Sequence, residues 1–382
     1  MTTLFFQSDV QDPYSIYQLM LGKNPIYWDE ENKIWVIYSY ESCIEILKNP
    51  DALIPVINLN NEQKLNEHAL DILNNLARLS NEIQHTINRE IANLLFSNLK
   101  SVDINTILYK LIKDDLIENE VDWVNSVCKK LPLLVVLKSF GFTANDCAFI
   151  LDKIEILVKI MLPNKSKEEV KLINQVSERI FSIVEKQLLL FDFYKPLLNK
   201  ISELEVLPLD EIKKITISNL IGLLIQSYDA GRGILSNSLL QIIKHKTFSN
   251  KATIQKSVIE TLRFDPPIHN TRRIANADIT LGKTTIKKGE KIMVVLAAAN
   301  RDLQKFENES NFDIERFNNN ENLTFGIGGH MCLAKHFSIN LATEVLWFLF
   351  NEHKIITLLE NNIEYEPLIN TRLPKTIWIS IK

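Results

Sequence analysis

At 382 residues the chain is long enough for two ordinary domains or one large one, and its composition, 46% hydrophobic and 24% charged, is that of a globular protein. A formal net charge of −4 gives no general attraction to nucleic acid or to an anionic membrane. The N-terminus has neither a basic stretch followed by an apolar core nor an apolar span long enough to cross a bilayer, so the expectation is a cytoplasmic chain, neither secreted nor membrane-anchored.

Taken in chain order, a strand pair fits Pro25–Trp28 and Ile34–Tyr38, separated by the turn-like Asp29–Lys33. Ser42–Leu47 reads as a helix ending near Asn49-Pro50. From Glu62 to about Lys200 the apolar spacing is helical almost throughout, broken at Pro132, Gly141 and Pro163, and predicts several helices and no sheet. Leu209–Lys244 reads as one long helix, with Pro208 suited to its first turn. Its centre, Leu220–Ile225, is almost wholly apolar, which predicts a course through the core. After Pro266-Pro267 the texture turns to short strands, Ile279–Leu281, Thr284–Ile286 and Lys291–Leu296. A polar, meandering segment follows over Asn300–Asn322, then a glycine-rich loop, then a last helix over Leu333–Phe350. No internal repeat or linker-like stretch stands out. The expectation is a single, mainly α domain over 1–382 with a small β subdomain and an N-terminal tail of about 1–11.

The four cysteines, Cys43, Cys128, Cys147 and Cys332, are scattered, and no two have metal-ligand spacing, so zinc and a disulfide framework are both disfavoured. Cys332 differs from the others in its neighbours. It ends the loop Phe325-Gly-Ile-Gly-Gly-His-Met-Cys and directly precedes an apolar, helix-forming run. A thiolate is costly in an apolar interior unless a cation and backbone N–H donors compensate it. Gly326, Gly328 and Gly329 permit the positive φ angles and close backbone approach that aim such donors at a sulfur. A cysteine prepared this way suits an axial haem ligand; the alternative is an inert, buried cysteine near a helix start.

Several motifs, in order and spread over most of the chain, together resemble the soluble bacterial type of cytochrome P450. The loop matches the family form FxxGxxxCxG at Phe325, Gly328 and Cys332, with Ala334 in the last small position. The resemblance implies that Cys332 is the proximal ligand of a haem b iron and that Phe325 packs beside its sulfur. Glu260-Thr-Leu-Arg263 precedes Asp265-Pro-Pro267, and its i, i+3 spacing puts both charges on one helical face. Alone this would read as a solvated surface pair. With Ala299-Asn-Arg-Asp302 and Phe312-Asp-Ile-Glu-Arg316 after it, it resembles the family's structural triad of Glu260, Arg263 and Arg316. His85 and Arg89 stand at i, i+4 on a predicted helix; they are either an exposed pair or, by the resemblance, partners of the haem propionates. Arg273 and His330 match further cofactor contacts. Asn322 departs from the family, in which many relatives carry a histidine before the Leu-Thr-Phe-Gly run.

The central helix carries a second departure. Relatives place an acid and then a threonine where it crosses the haem, and here the segment reads Gln226-Ser-Tyr-Asp-Ala-Gly-Arg-Gly233. Asp229 falls at the acid, Ala230 falls where the hydroxyl belongs, and Gln226 sits one turn earlier on the same face. The missing hydroxyl normally organises water for proton delivery, so its loss favours peroxide leakage unless a substrate hydroxyl or ordered water replaces it. Gln226 either offers an amide to substrate or oxygen, or merely satisfies Asp229 or the helix backbone. Arg232 lies nearly opposite Ala230 and is not assigned to the pocket.

The implied activity is a monooxygenase that inserts one oxygen atom into a small organic substrate, of the kind met in secondary metabolism. Two electrons would come from a separate donor such as a ferredoxin and its reductase, since the chain has no length or cysteine cluster for a flavin or iron–sulfur domain of its own. Lys335 and His336 could contribute to docking or form a plain solvated face. By analogy, substrate contacts fall in Leu53–Asn61, Val158–Phe193 and Ile268–Thr271. Two alternatives remain open: a peroxide-using or non-hydroxylating enzyme (coupling, cyclisation or desaturation), and a non-catalytic haem-binding protein. Monomer is the default state.

Overall fold

A computed structural model describes residues 3–56, 64–162, 164–192, 194–204, 207–353, 355–360 and 362–382. Residues 57–61 of the first expected substrate segment lie outside these, as do the Glu62, Pro163 and Phe193 boundaries. The chain divides into two compact units. The first comprises Met1–Leu53, Ile104–Leu131 and Ala230–Lys382; the second comprises Ile54–Asp103 and Pro132–Asp229.

The second unit is helical. Its helices include Glu67–Asn75, Glu82–Ser97, Leu131–Ser139 (its Leu131 counted with the first unit), Ala144–Val158 and Lys167–Leu189. Gly141, at φ +68°, stops the chain just past Leu131–Ser139, whereas Pro132 falls in the first turn of that helix, where its missing N–H has no cost. Lys167–Leu189 opens on a reciprocal cap: the Ser166 hydroxyl accepts from Glu169 N at 3.2 Å and the Glu169 carboxylate accepts from Ser166 N at 2.9 Å. Buried Ile, Leu, Val and Phe side chains from these helices form one continuous core.

The first unit holds every strand among the described residues: β1 Ile26–Asp29, β2 Ile34–Ile37, β3 Ala52–Leu53, β4 Glu120–Asp122, β5 Thr271–Ala275, β6 Ile279–Leu281, β7 Thr284–Ile286, β8 Lys291–Val294, β9 Ile356–Leu358 and β10 Trp378–Ile381. The main sheet has the order β1-β2-β8-β5-β3, with β2 parallel to β8 and β5 antiparallel to it. β4 corrects the expectation of no sheet between Glu62 and Lys200. It pairs with the C-terminal β10, Val121 opposite Ile379, a non-local contact that local spacing does not reveal. β8 stops two residues short of the expected Leu296, because Leu296 opens a short helix over Leu296–Ala299.

The central helix runs over Leu209–His245, about 55 Å at 1.5 Å per residue, one residue beyond the expected end. Acids at Asp210 and Glu211 in the first turn, and Lys244 and His245 in the last, suit its dipole. Its residues up to Asp229 belong to the second unit and those from Ala230 to the first. The Lys251–Phe264 helix starts where the Asn250 side chain accepts from Thr253 N at 3.0 Å, and ends before Pro266-Pro267. A helix over Pro13–Lys23, capped by Asp12 with proline in its first turn, is an addition to the sequence expectation. The expected tail is pinned to the body: Gln7 N donates to Leu368 O at 2.8 Å, and the buried Arg372 donates to the carbonyls of Gln7, Val10 and Gln11.

Candidate haem-thiolate site

The cysteine loop is built by two left-handed glycines. Gly326 (φ +68°) closes a turn in which its N–H donates to Leu323 O at 2.7 Å, and Gly328 (φ +77°) brings the backbone against the Tyr40–Lys48 helix. A Cβ at Gly328 would stand 3.0 Å from the Leu47 carbonyl oxygen, so this approach requires glycine. Met331 N donates to Gly328 O at 3.1 Å, and Cys332 N donates to Phe325 O at 2.8 Å, which closes the loop immediately before the Lys335–Glu352 helix. Phe325, His330 and Cys332 are half-buried.

The other three cysteines are buried, and burial raises each of their thiols above the usual range. Those are inert apolar side chains. Cys332 differs from them in being partly exposed on a glycine-built loop.

Behind the loop the structure brings Glu260, Arg263 and Arg316 together. Glu260 and Arg263 are fully buried and meet twice, Arg263 Nη2 to Glu260 Oε1 at 2.6 Å and Nε to Oε2 at 2.9 Å. The remaining guanidinium N–H groups donate to Asn300 O at 3.1 Å, Glu309 O at 2.9 Å and Asn311 O at 3.0 Å, so all five donors are used. The Glu260 carboxylate also accepts from Asp313 N at 3.0 Å and lies 3.6 Å from Arg316 Nε. Arg316 in turn donates to the carbonyls of Glu307, Asn308 and Asn311. The triad thus fastens the polar meander to the Lys251–Phe264 helix.

Arg273 sits on β5, where period-two alternation turns it inward and leaves Arg272 exposed. Arg273 is 4% exposed, and its guanidinium bonds to neutral oxygens, Thr271 Oγ1 at 3.1 Å and Arg272 O at 2.7 Å. No carboxylate among the described residues pairs with it, and desolvation lowers its pKa to about 10. A buried cation with no internal counter-charge fits an acidic group brought in with a cofactor, such as a propionate. The donor set therefore fits haem: a sulfur on a preformed loop and a cation awaiting an anion.

His85 and Arg89 are half-buried on the Glu82–Ser97 helix of the second unit, and the His85 ring nitrogen Nδ1 is 2.8 Å from Ala77 O, which fixes the ring. Gln226 spends one of its two amide N–H groups on Gly222 O at 3.0 Å, the backbone-satisfying alternative. Asp229 and Ala230 follow on the same helix. Arg232 is turned elsewhere, to Glu366 Oε1 at 2.6 Å and Pro374 O at 3.2 Å. Asn322 caps its own loop, donating to Asn319 O at 2.7 Å and accepting from Thr324 N at 3.3 Å. Asn300 and Thr324 were not singled out from the sequence, yet Asn300 is fully buried and bonds to both the helix and the loop. A cleft of about 790 Å³ beside His245, Phe264, Phe312 and Arg316 is lined by none of the cysteine-loop residues. Among the described residues no helix is long and apolar enough to cross a membrane.

Comparison with known proteins agrees with this arrangement. The family model for cytochrome P450 matches residues 240–351, which include Glu260, Arg263, Arg273, Arg316 and the cysteine loop. The chain is similar to cytochrome P450 119 of Sulfolobus acidocaldarius, 26% identical over 340 residues covering 84% of this chain and 86% of that one. It is also similar to the biotin biosynthesis cytochrome P450 of Bacillus subtilis, 26% identical over 380 residues covering 95% and 94%. The crystal structure of P450BioI in complex with hexadec-9Z-enoic acid ligated acyl carrier protein superposes with a TM-score of 0.81, at 21% identity, over 98% of this chain and all of that one, and so shares its fold. Over residues 240–351 the chain matches the family model for cytochrome P450, and along most of its length it is similar to cytochromes P450 and shares their fold.

Proposed function

We propose that the chain, acting as one catalytic domain, inserts one oxygen atom from dioxygen into a small organic substrate, with electrons from a separate donor of the ferredoxin type. The observation that carries this is the cysteine loop, closed by the bond from Cys332 N to Phe325 O and braced by the buried Glu260–Arg263 pair. When bound, the haem would supply the metal at which oxygen is activated, and the sulfur of Cys332 would hold it. Phe325 shields that sulfur on one side. Arg273 and His330 hold the cofactor's carboxylates, the resemblance extends that role to His85 and Arg89, and Glu260, Arg263 and Arg316 keep the meander rigid.

Proton supply falls to Asp229, since Ala230 has a methyl group where relatives have a hydroxyl. Gln226, with one of its two amide N–H groups taken by Gly222 O, keeps its second N–H and its amide oxygen for substrate or water. Without the hydroxyl, productive coupling depends on a polar group of the substrate itself, which favours a moderately polar organic molecule, as in secondary metabolism. The same loss supports a second reading, direct use of hydrogen peroxide or a coupling, cyclisation or desaturation outcome. The half-buried Lys335 and exposed His336 beside the cysteine loop support donor docking on that side. A cytoplasmic monomer is the setting we assign.

Product formed per dioxygen consumed, compared with turnover on hydrogen peroxide alone, separates the two readings. In the leading reading, Ala230→Thr raises coupling in the donor-driven reaction. Coupling that stays unchanged in Ala230→Thr overturns the proton-supply argument, and turnover by peroxide alone at or above the donor-driven rate selects the second reading.

A further inference from the structure

We infer that Asn300 and Thr324 form a clasp that sets the register of the cysteine loop, and thereby holds the Cys332 sulfur in place as a ligand. Both are positioning residues, and the inference rests on the assignment of Cys332 made above. It begins with a carbonyl that the sequence leaves without a helical partner. In the last turn of the Lys251–Phe264 helix, Leu262 O would normally accept from the residue four positions on, but that residue is Pro266, which has no N–H.

Two side chains from elsewhere in the chain fill the vacancy in the ladder. The Thr324 hydroxyl donates to Leu262 O, and the Asn300 amide nitrogen donates to the same oxygen at 3.2 Å and to Thr324 Oγ1 at 2.9 Å. The amide oxygen of Asn300 accepts from Leu323 N at 2.6 Å, while its main-chain carbonyl accepts from Arg263 Nη1 at 3.1 Å. Asn300 is 0% exposed and Thr324 6% exposed, so water is poorly placed to substitute. Every polar atom of the Asn300 side chain is therefore spent on joining the helix end to the start of the loop.

The residues that follow carry this constraint to the sulfur. Leu323 is held at its N–H by Asn300 and at its carbonyl by Gly326 N, at 2.7 Å. Thr324 is held by its side chain, and the next carbonyl, that of Phe325, receives the N–H of Cys332 at 2.8 Å. A shift at Thr324 thus moves the group on which Cys332 hangs. The clasp makes no bond to the Glu260 carboxylate and meets the ion-paired triad only at Arg263, so it is a separate device.

The test is the rate, at one fixed pH, at which the reduced, carbon monoxide-bound holoenzyme loses the long-wavelength Soret band of thiolate ligation. Thr324→Val keeps the shape and removes the donor; Thr324→Ser keeps the donor. We expect Thr324→Val to lose the band about tenfold faster than the unsubstituted enzyme, the scale of one buried hydrogen bond. Thr324→Ser should keep the unsubstituted rate. Equal rates for Thr324→Val and Thr324→Ser overturn the clasp, even if Thr324→Val melts at a lower temperature, since a merely structural role predicts that pattern. If Thr324→Val gives no folded protein, Thr324→Ala is judged on the same terms. Cys332→Ser in the same series keeps the two claims apart. Retention of the thiolate band there sinks the Cys332 assignment and the clasp with it, whereas equal Thr324 rates beside a Cys332→Ser that has lost the band sink the clasp alone.

Discussion

Replacing Glu260 by glutamine removes a charge while keeping size and one acceptor, and the structure sets what that costs. Both partners of the Glu260–Arg263 pair are fully buried, so neither is screened by water. Among the described residues no other carboxylate pairs with Arg263, and Arg316 Nε, 3.6 Å away, loses its counter-charge at the same time. The three main-chain carbonyls that accept from Arg263 survive, but the bidentate contact at 2.6 and 2.9 Å does not, because an amide nitrogen then faces a guanidinium donor. Breaking a buried pair by removing one partner costs about 3–5 kcal/mol, against about 0–1 kcal/mol for an exposed pair. Equilibrium urea unfolding of the holoenzyme, followed by far-ultraviolet circular dichroism, measures it. A loss of about 3 kcal/mol or more in Glu260→Gln is expected. A loss under about 1 kcal/mol would refute the reasoning, by placing the pair in the class of solvated surface bridges.

The remaining predictions draw on other parts of the molecule. His269 is fully buried between Tyr17, whose hydroxyl is 2.9 Å from Nδ1, and Tyr14, with Arg372 and Arg301 nearby; desolvation first and these arginines second hold its pKa well below the ordinary histidine value. The unfolded chain therefore binds a proton that the folded one refuses, so stability present above about pH 6.5 falls as pH drops below it, by up to about 1.4 kcal/mol per unit. His269→Asn should flatten that slope in urea titrations between pH 5 and 7, and an unchanged slope would show that His269 is not its source. Gly233→Ala drives a Cβ into Pro267 Cβ and to 2.6 Å from Leu373 Cδ2, and should destabilise by about 1–3 kcal/mol in the same assay. Arg273→Leu should weaken haem retention, read as faster transfer of the cofactor to an excess of an apo-globin, because a buried cation that needs an anion becomes an apolar group that needs none; transfer at the unsubstituted rate would remove Arg273 from the cofactor site.

How far the sequence alone carries this reading depends on whether a feature is local. The central helix was legible to within one residue, because its proline start, terminal charges and apolar centre are all written within Leu209–His245. The cysteine loop was legible because left-handed glycines and a helix start sit within a few residues of Cys332. β4 was not, since Glu120–Asp122 becomes a strand only against Trp378–Ile381 from the far end of the chain. β5 escaped notice behind its tandem arginines, of which one faces solvent and the other the interior. The pinned N-terminal segment owes its order to Arg372, which no local pattern announces. Gln226 shows the opposite limit: sequence spacing put it on the same face as Ala230, and only the bond to Gly222 O reveals how much of its hydrogen-bonding capacity the helix has already used. Asn300 was visible as part of a motif, yet its role follows from Pro266, thirty-odd positions earlier, which leaves Leu262 O in need of a donor.

The account depends most on the sulfur of Cys332 being the ligand of iron. Purified holoenzyme, reduced and exposed to carbon monoxide, should show the red-shifted Soret band of a thiolate-ligated haem, and Cys332→Ser should lose that band while Cys43→Ser, whose thiol is fully buried, keeps it. A Cys332→Ser protein whose band is unchanged would contradict the account directly.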